Sequence, residues 1–585
     1  MPRPGESSGS TGSDGVGVRH VAVPLLGGES AAETSLRIVR GLLDGDSWVK
    51  PDSRLLTLTT GRFYTHEFIG RRISRQASRI AVRRGDGRLR VIDPFCGDGR
   101  LVAWFLEELA RDESARTLDL SVELWDCDLS AVRRAARKVR GLGGAMESLE
   151  VTTHHWDTFE WAREQYGQYD VVLTNPPWEL LKPDPRQLRG LSDPEALAYS
   201  QSLRIEDARL SELYPAARPS VRYAGWGFNL SRAGMELALG LLDERGALGL
   251  IMPASVLADN SSGRLRELMV KQFNLLALDY FPSETRLFPG TDHPAVSLLI
   301  GREARHGVST NLTVFSPSLQ ARASGRLRIS MEELRRTGYV IPGQFSPEAY
   351  SVLRKIRQFD EFSELEGKGP AALLAGRELD ETRIGERLSS AGSIPFVKGR
   401  MVHRFGVDMR EARFLKPGVE LPESTAHARI AWRDVSRMSQ ARRIQACLLP
   451  PDVVTGNSLS VAYFRDDDPV RLKALLAIMS SVVFEFQVRT YLATSHISLA
   501  SVRKGRIPSL ESEDFVKNMA RLCNLCVSGD PAAQAETEVR SAQAFGISRE
   551  QVGVILGEFG RLPAATKGEL LSSKCWDDTP GWIGM

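Results

Sequence analysis

From about residue 88 to about residue 305 the chain alternates short apolar runs with helix-length amphipathic stretches, and this alternation constrains the fold more than any other feature. Arg88–Phe95, Leu120–Asp128 and Tyr169–Trp178 read as strands, with helices over Gly99–Asp112 and Leu129–Gly141 between them, and the pattern resumes from Gly227 to Glu303. Strands that are apolar along their length need cover on both faces, which helices crossing between parallel neighbours supply. The expectation is an α/β, doubly wound, Rossmann-like sheet.

At 585 residues the chain exceeds one ordinary domain. Residues 1–30, rich in Gly, Ser and Pro without hydrophobic periodicity, read as a disordered tail. A first domain is expected over 31–310, opening on an amphipathic helix that carries Leu36, Ile38, Val39, Leu42 and Leu43. A linker over 311–340 leads to a second, mixed α+β domain over 341–510, where apolar segments are shorter and Arg, Gly and Pro frequent. A partly helical extension follows over 511–585.

No apolar run approaches the roughly 18 to 20 residues that cross a bilayer, and the N-terminal stretch has no signal-peptide core, so a cytoplasmic location is expected. The six cysteines are sparse and irregularly spaced, which argues against a secreted disulfide framework. Cys523 and Cys526 lack a second pair, and His154 and His155 lack further ligands at metal spacing, so no metal is expected. A net charge of +3 is too small to announce nucleic-acid binding by itself, and local charge must carry that argument.

The turn after the first strand reads Asp93-Pro94-Phe95-Cys96-Gly97-Asp98-Gly99-Arg100 and opens a helix. In a doubly wound fold this is where backbone approaches a ligand, and Gly97 and Gly99 permit the approach. Asp93 and Phe95 flank them. Asp126, at the end of the next strand, stands beside that loop, where a carboxylate can accept both hydrogen bonds of a ribose diol. Asp157 and Phe159 follow the third strand, placing an acceptor for an adenine amine beside an aromatic that packs on its face.

Asn175-Pro176-Pro177-Trp178 ends the strand that starts at Tyr169, so it falls at the same carboxyl edge. An aromatic exocyclic amine is a poor nucleophile because its lone pair is delocalised into the ring. Two acceptors aimed at its protons localise that pair, and the Asn175 side-chain oxygen and the Pro176 carbonyl can supply them. Pro176 and Pro177 stiffen the backbone that carries them, and Trp178 offers a face for stacking. Positioning of this kind can supply on the order of 7 to 11 kcal/mol without a covalent intermediate.

Together these segments resemble the gamma-class amino-methyltransferases of DNA, the group that includes the TaqI enzyme and the methylase half of Eco57I-like restriction systems. The resemblance runs through most of residues 55 to 510 and implies S-adenosyl-L-methionine as cofactor, N6 of an adenine flipped out of double-stranded DNA as target, and a C-terminal target-recognition domain. Gly61 to Glu67 is similar to the family's leading motif, usually a Thr-Pro pair, which implies a cofactor contact for Thr65; here His66 stands in place of the proline. Leu250 to Ala254 is similar to a later strand motif. Arg286-Leu287-Phe288-Pro289-Gly290 is similar to a segment with a second base-stacking aromatic, which implies that Phe288 clamps the adenine opposite Trp178. In the recognition half, Lys398, Arg400 and Arg404 fall in a segment similar to the family's Gly-Arg stretch, and Arg429 and Arg433 in one similar to a later strand, so the resemblance implies DNA contacts for them. Arg442 and Arg443 join that cluster, and Arg503 to Pro508 is similar to the family's closing segment.

Two other readings stay open: an amino-methyltransferase acting on protein or RNA, and a DNA-specificity protein with an inactive methylase fold. The region before the first domain is too short for a nuclease core, which leaves any restriction activity to a partner chain, a separate restriction or defence subunit.

Overall fold

The computed structural model describes residues 64–581 except 85–86, 184–187, 189–191, 221, 223–225, 289–292, 304–306, 493–494 and 579. The tail expected over 1–30, the segment carrying Leu36 to Leu43, residues 61–63, Pro289 and Gly290 lie outside the described residues.

Helix α1 (Glu67–Arg84) precedes β1 (Arg88–Asp93), α2 (Arg100–Leu109), β2 (Asp119–Asp126), α3 (Leu129–Arg140), β3 (Ser148–His155) and β4 (Tyr169–Thr174). After β4 come α4 (Asp193–Leu213), α5 (Leu230–Leu241), β5 (Leu242–Pro253), α6 (Gly263–Gln272), β6 (Asn274–Phe281), β7 (Ala295–Gly301), β8 (Val308–Phe315) and β9 (Ala321–Ile329). One nine-stranded sheet results, in the order β3-β2-β1-β4-β5-β7-β6-β8-β9. From β3 to β5 neighbours are parallel, and β7 lies antiparallel between β5 and β6. This is the doubly wound, Rossmann-like sheet, with every residue of the central strand β4 buried.

Register explains the site. Asp93 of β1 is level with Leu124 of β2, and Asp126 of β2 with His155 of β3, so each next carboxylate lies two residues further on. Ile92 is level with Val172 of β4, which brings Asn175 to the same edge. Asp157, Asp126, Asp93 and Asn175 thus form a row along the carboxyl ends of four adjacent strands, centred where the strand order reverses.

The segment expected as a linker is not one. Residues 311–340 hold the rest of β8, all of β9 and a short helix, Met331–Arg336, so the sheet runs to Ile329 rather than ending near residue 310. As the outermost strand, β9 buries only Leu327 and Ile329, which leaves almost no apolar signal to read.

Beyond it, Leu373–Gly376, Leu459–Phe464, Arg429–Arg433 and Ala446–Leu449 form an antiparallel four-stranded sheet, beside a smaller sheet that includes Ile394–Val397 and Arg413–Leu415. Helices Pro469–Met479, Val482–Arg489, Glu513–Val527 and Pro531–Ala544 pack on this body. Phe515, Met519, Val539, Ile555 and Leu570 of this C-terminal stretch are therefore part of its core. One continuous apolar cluster runs from Ile92 and Val172 in the first sheet through Leu353 and Trp432 to Phe559. Among the described residues no helix is long and apolar enough to cross a membrane.

Candidate active site

Gly97 and Gly99 take left-handed backbone angles, φ +52° and +76°. A Cβ on Gly99 would lie 2.8 Å from the Ala135 Cα of α3, so both conformation and packing demand glycine there. Asp126 fastens the loop: its Oδ2 accepts from the Gly97 N–H at 2.9 Å and its Oδ1 from the Asp128 N–H at 2.9 Å. Cys96 N donates to the Trp125 carbonyl and Thr158 Oγ1 to the Pro94 carbonyl, tying the ends of β2 and β3 to the same turn.

Asp93 is buried, and burial pushes its carboxyl up to about 8, against the opposing hydrogen bond from Phe95 N. Burial likewise pushes the Asp157 carboxyl up to about 7, against the pull of Arg209. Asp157 caps a short helix by accepting from Phe159 N at 3.0 Å and accepts from Arg209 Nη2 at 3.1 Å. Phe159 is buried, 5.1 Å from the Phe95 ring and 5.7 Å from Tyr214. Burial alone would raise Asp98, but Arg100 and Lys138 hold it down at about 2.

One cavity brings the two halves of the site together: Thr65, Asp93, Phe95 and Gly97 line it, and so does Asn175. Asn175 Nδ2 donates to Thr65 Oγ1 at 3.2 Å. Trp178, half-buried, meets the buried Phe288 with ring centroids 4.4 Å apart at 50°. The rings touch, and do not face each other across a gap as the expected clamp would have them. His66, in the place of the usual proline, caps α1: its Nδ1 accepts from Phe68 N at 3.1 Å and its carbonyl from Gly70 N.

Three residues escaped the sequence reading. Tyr64 stands at the cavity mouth near Gly97, and the Arg100 guanidinium lies 4.9 Å from its ring centroid. Both are adjacent to motif residues, which is the signal that was available. Arg209 lies 52 positions from Asp157, and nothing local marks it.

In the C-terminal body the basic cluster divides. Arg429 is 0% exposed, as is its partner Glu378, and it also donates to the Pro450 carbonyl, so it braces the fold and does not reach a DNA surface. Arg404 pairs with Glu538 at 2.6 Å and donates to the Ser480 carbonyl, a second correction. Arg442 binds Glu485 and Glu538, and Arg443 is buried. Arg433 turns inward to the Val402 and Arg400 carbonyls, and Lys398 pairs with Glu381 at 2.9 Å. Arg400, 67% exposed, faces solvent with Glu411 as its partner. Arg503 and Arg506 are held by Glu366 and Glu361. Arg429 and Arg404 were misread because their acidic partners lie 51 and 134 positions away in the chain. Among the described residues no cluster of His, Cys, Asp and Glu is arranged to hold a metal.

The sheet order and the polar row at its carboxyl edge define a Rossmann-like methyltransferase fold. Residues 144–288 match the Eco57I restriction-modification methylase family, a stretch that includes Asp157, Asn175 to Trp178 and Phe288. No curated protein matches the chain. Among solved structures, the type IIL restriction-modification enzyme MmeI in complex with DNA superposes with TM-score 0.51 at 10% identity over 92% of this chain and 78% of that one. The DrdV–DNA complex gives TM-score 0.50 at 11% identity, covering 85% of this chain and 60% of that one. The type IIG restriction endonuclease BpuSI is 14% identical over 90% of this chain and 68% of that one, with TM-score 0.38. The likeness to MmeI and DrdV is one of fold.

Proposed function

We propose that this protein is a site-specific DNA adenine-N6 methyltransferase that uses S-adenosyl-L-methionine. The observation that carries the reading is the shared cavity: the glycine loop that suits a nucleoside cofactor and the Asn175 that suits an amine target line the same space. The methylase family over 144–288 and the DNA complexes of MmeI and DrdV support duplex DNA as substrate.

The residues fit the cofactor at the loop. Gly97 presents an open backbone face, with no atom nearer to a built Cβ than Tyr64 at 3.7 Å, and the partly exposed Asp126 retains lone pairs for a ribose diol. Thr65 and Asp93 would hold the amino-acid end and Phe95, Asp157 and Phe159 the base, with Asp157 sharing its acceptor capacity with Arg209. When bound, S-adenosyl-L-methionine supplies a methyl group already activated by its sulfonium charge.

Asn175 Oδ1 and the Pro176 carbonyl accept the two protons of the adenine amine, which localises its lone pair. Trp178 stacks on the extruded base with Phe288 packed behind it as a brace, an arrangement worth about 1 to 3 kcal/mol toward the few kcal/mol that extrusion costs. Arg400 is the member of the basic cluster best exposed to meet a phosphate.

The test is to incubate the protein with radiolabelled cofactor and duplex DNA, RNA or a release-factor-like protein. Label is expected in DNA as N6-methyladenine; label only in RNA or protein, or cofactor-dependent DNA binding that leaves adenines unmodified, overturns the proposal.

A further inference from the structure

We infer that Thr65 is a positioning residue that anchors the Asn175 amide, a proposal that rests on the role given to Asn175 above. Asn175 Nδ2 donates to Thr65 Oγ1 at 3.2 Å, across 110 positions of sequence, which ties the amide to a fixed point outside its own turn.

Thr65 is itself held from several sides. It is 4% exposed, and its carbonyl accepts from Arg100 Nη1 at 2.9 Å. Arg100 is locked by two bonds of 2.9 Å to Asp98, whose Oδ2 also accepts from Lys138 at 2.8 Å. The Thr65 methyl would lie 3.2 Å from a Cβ built on Gly70, and that same Cβ would fall 2.1 Å from the Trp104 ring, so α1 and α2 are in closest contact beside it. An anchor this constrained transmits its position to whatever it holds. The glycine loop and the Asn-Pro-Pro turn are thereby joined through one hydroxyl.

The experiment uses the full chain, unmethylated genomic DNA and labelled S-adenosyl-L-methionine, comparing wild type, Thr65→Val and Thr65→Ser. Two quantities are read: the single-turnover methylation rate at saturating cofactor, and the cofactor Kd by equilibrium dialysis without DNA. Thr65→Val is expected to slow transfer at saturating cofactor about tenfold, the size of one buried hydrogen bond, over and above any change in Kd that follows from the cofactor contact given to Thr65. Thr65→Ser, which keeps the hydroxyl, is expected to restore most of the rate. Thr65→Val at the wild-type rate, a loss that appears wholly in Kd, or Thr65→Ser as slow as Thr65→Val would each overturn the proposal while leaving the adenine reading intact. A wild-type chain inert on DNA fails that reading first, and the proposal with it.

Discussion

The carboxyl edge of the first sheet and the interior of the C-terminal body are both rich in charge, and they use it differently. At the sheet edge the carboxylates are tied to backbone N–H groups, Asp126 to Gly97 of the neighbouring turn and Asp157 to Phe159 of its own, and Asp126 stays partly exposed. In the C-terminal body the charges are spent on one another. Arg429 meets Glu378, Arg404 and Arg442 share Glu538, and Glu485, which burial would raise, is held at about 2 by Arg489 and Arg442. A charge fixed by a neighbouring backbone bond keeps capacity for substrate, whereas one neutralised by a distant side chain has become architecture.

The sharpest way to break this contrast is at Arg429. Replacing it by alanine strands Glu378 in the core, and an unfolding free energy lower by about 3 to 5 kcal/mol is expected in urea denaturation; an unchanged midpoint would mean the pair is no brace. Asn175→Ala should leave stability and cofactor Kd nearly unaltered yet slow adenine methylation about 100-fold or more, in line with the loss of one preorganised group, as read by single turnover. Asp126→Ala is expected to weaken cofactor binding about tenfold by dialysis, since it removes acceptors and loosens Gly97. Arg400→Ala should cost at most about 0.5 kcal/mol of stability and reduce the salt dependence of DNA binding by about one phosphate contact; a salt slope identical to wild type would remove Arg400 from the DNA surface.

The sequence made the sheet edge legible because in parallel strands chain order dictates spatial order. Once Arg88–Asp93 and Tyr169–Thr174 read as strands, Gly97, Asp126 and Asn175 had to converge. The direct contact of Trp178 with Phe288 was not legible, since ring spacing depends on packing. Nor was the burial of Arg429, because its partner Glu378 lies 51 residues earlier and a basic strand residue looks the same whether it faces solvent or a buried acid. Strand β9 escaped because six of its residues face solvent and only two are buried.

The apolar cluster that unites the two bodies bears on how such a protein can be re-engineered. Cutting after residue 340 to graft a foreign reader would strip cover from Leu334, Ile341 and Tyr350, all part of that shared interior. If the proposed function holds, re-targeting is therefore a matter of altering individual surface side chains within an intact chain, because the interior shared by the described residues offers no clean seam at that point.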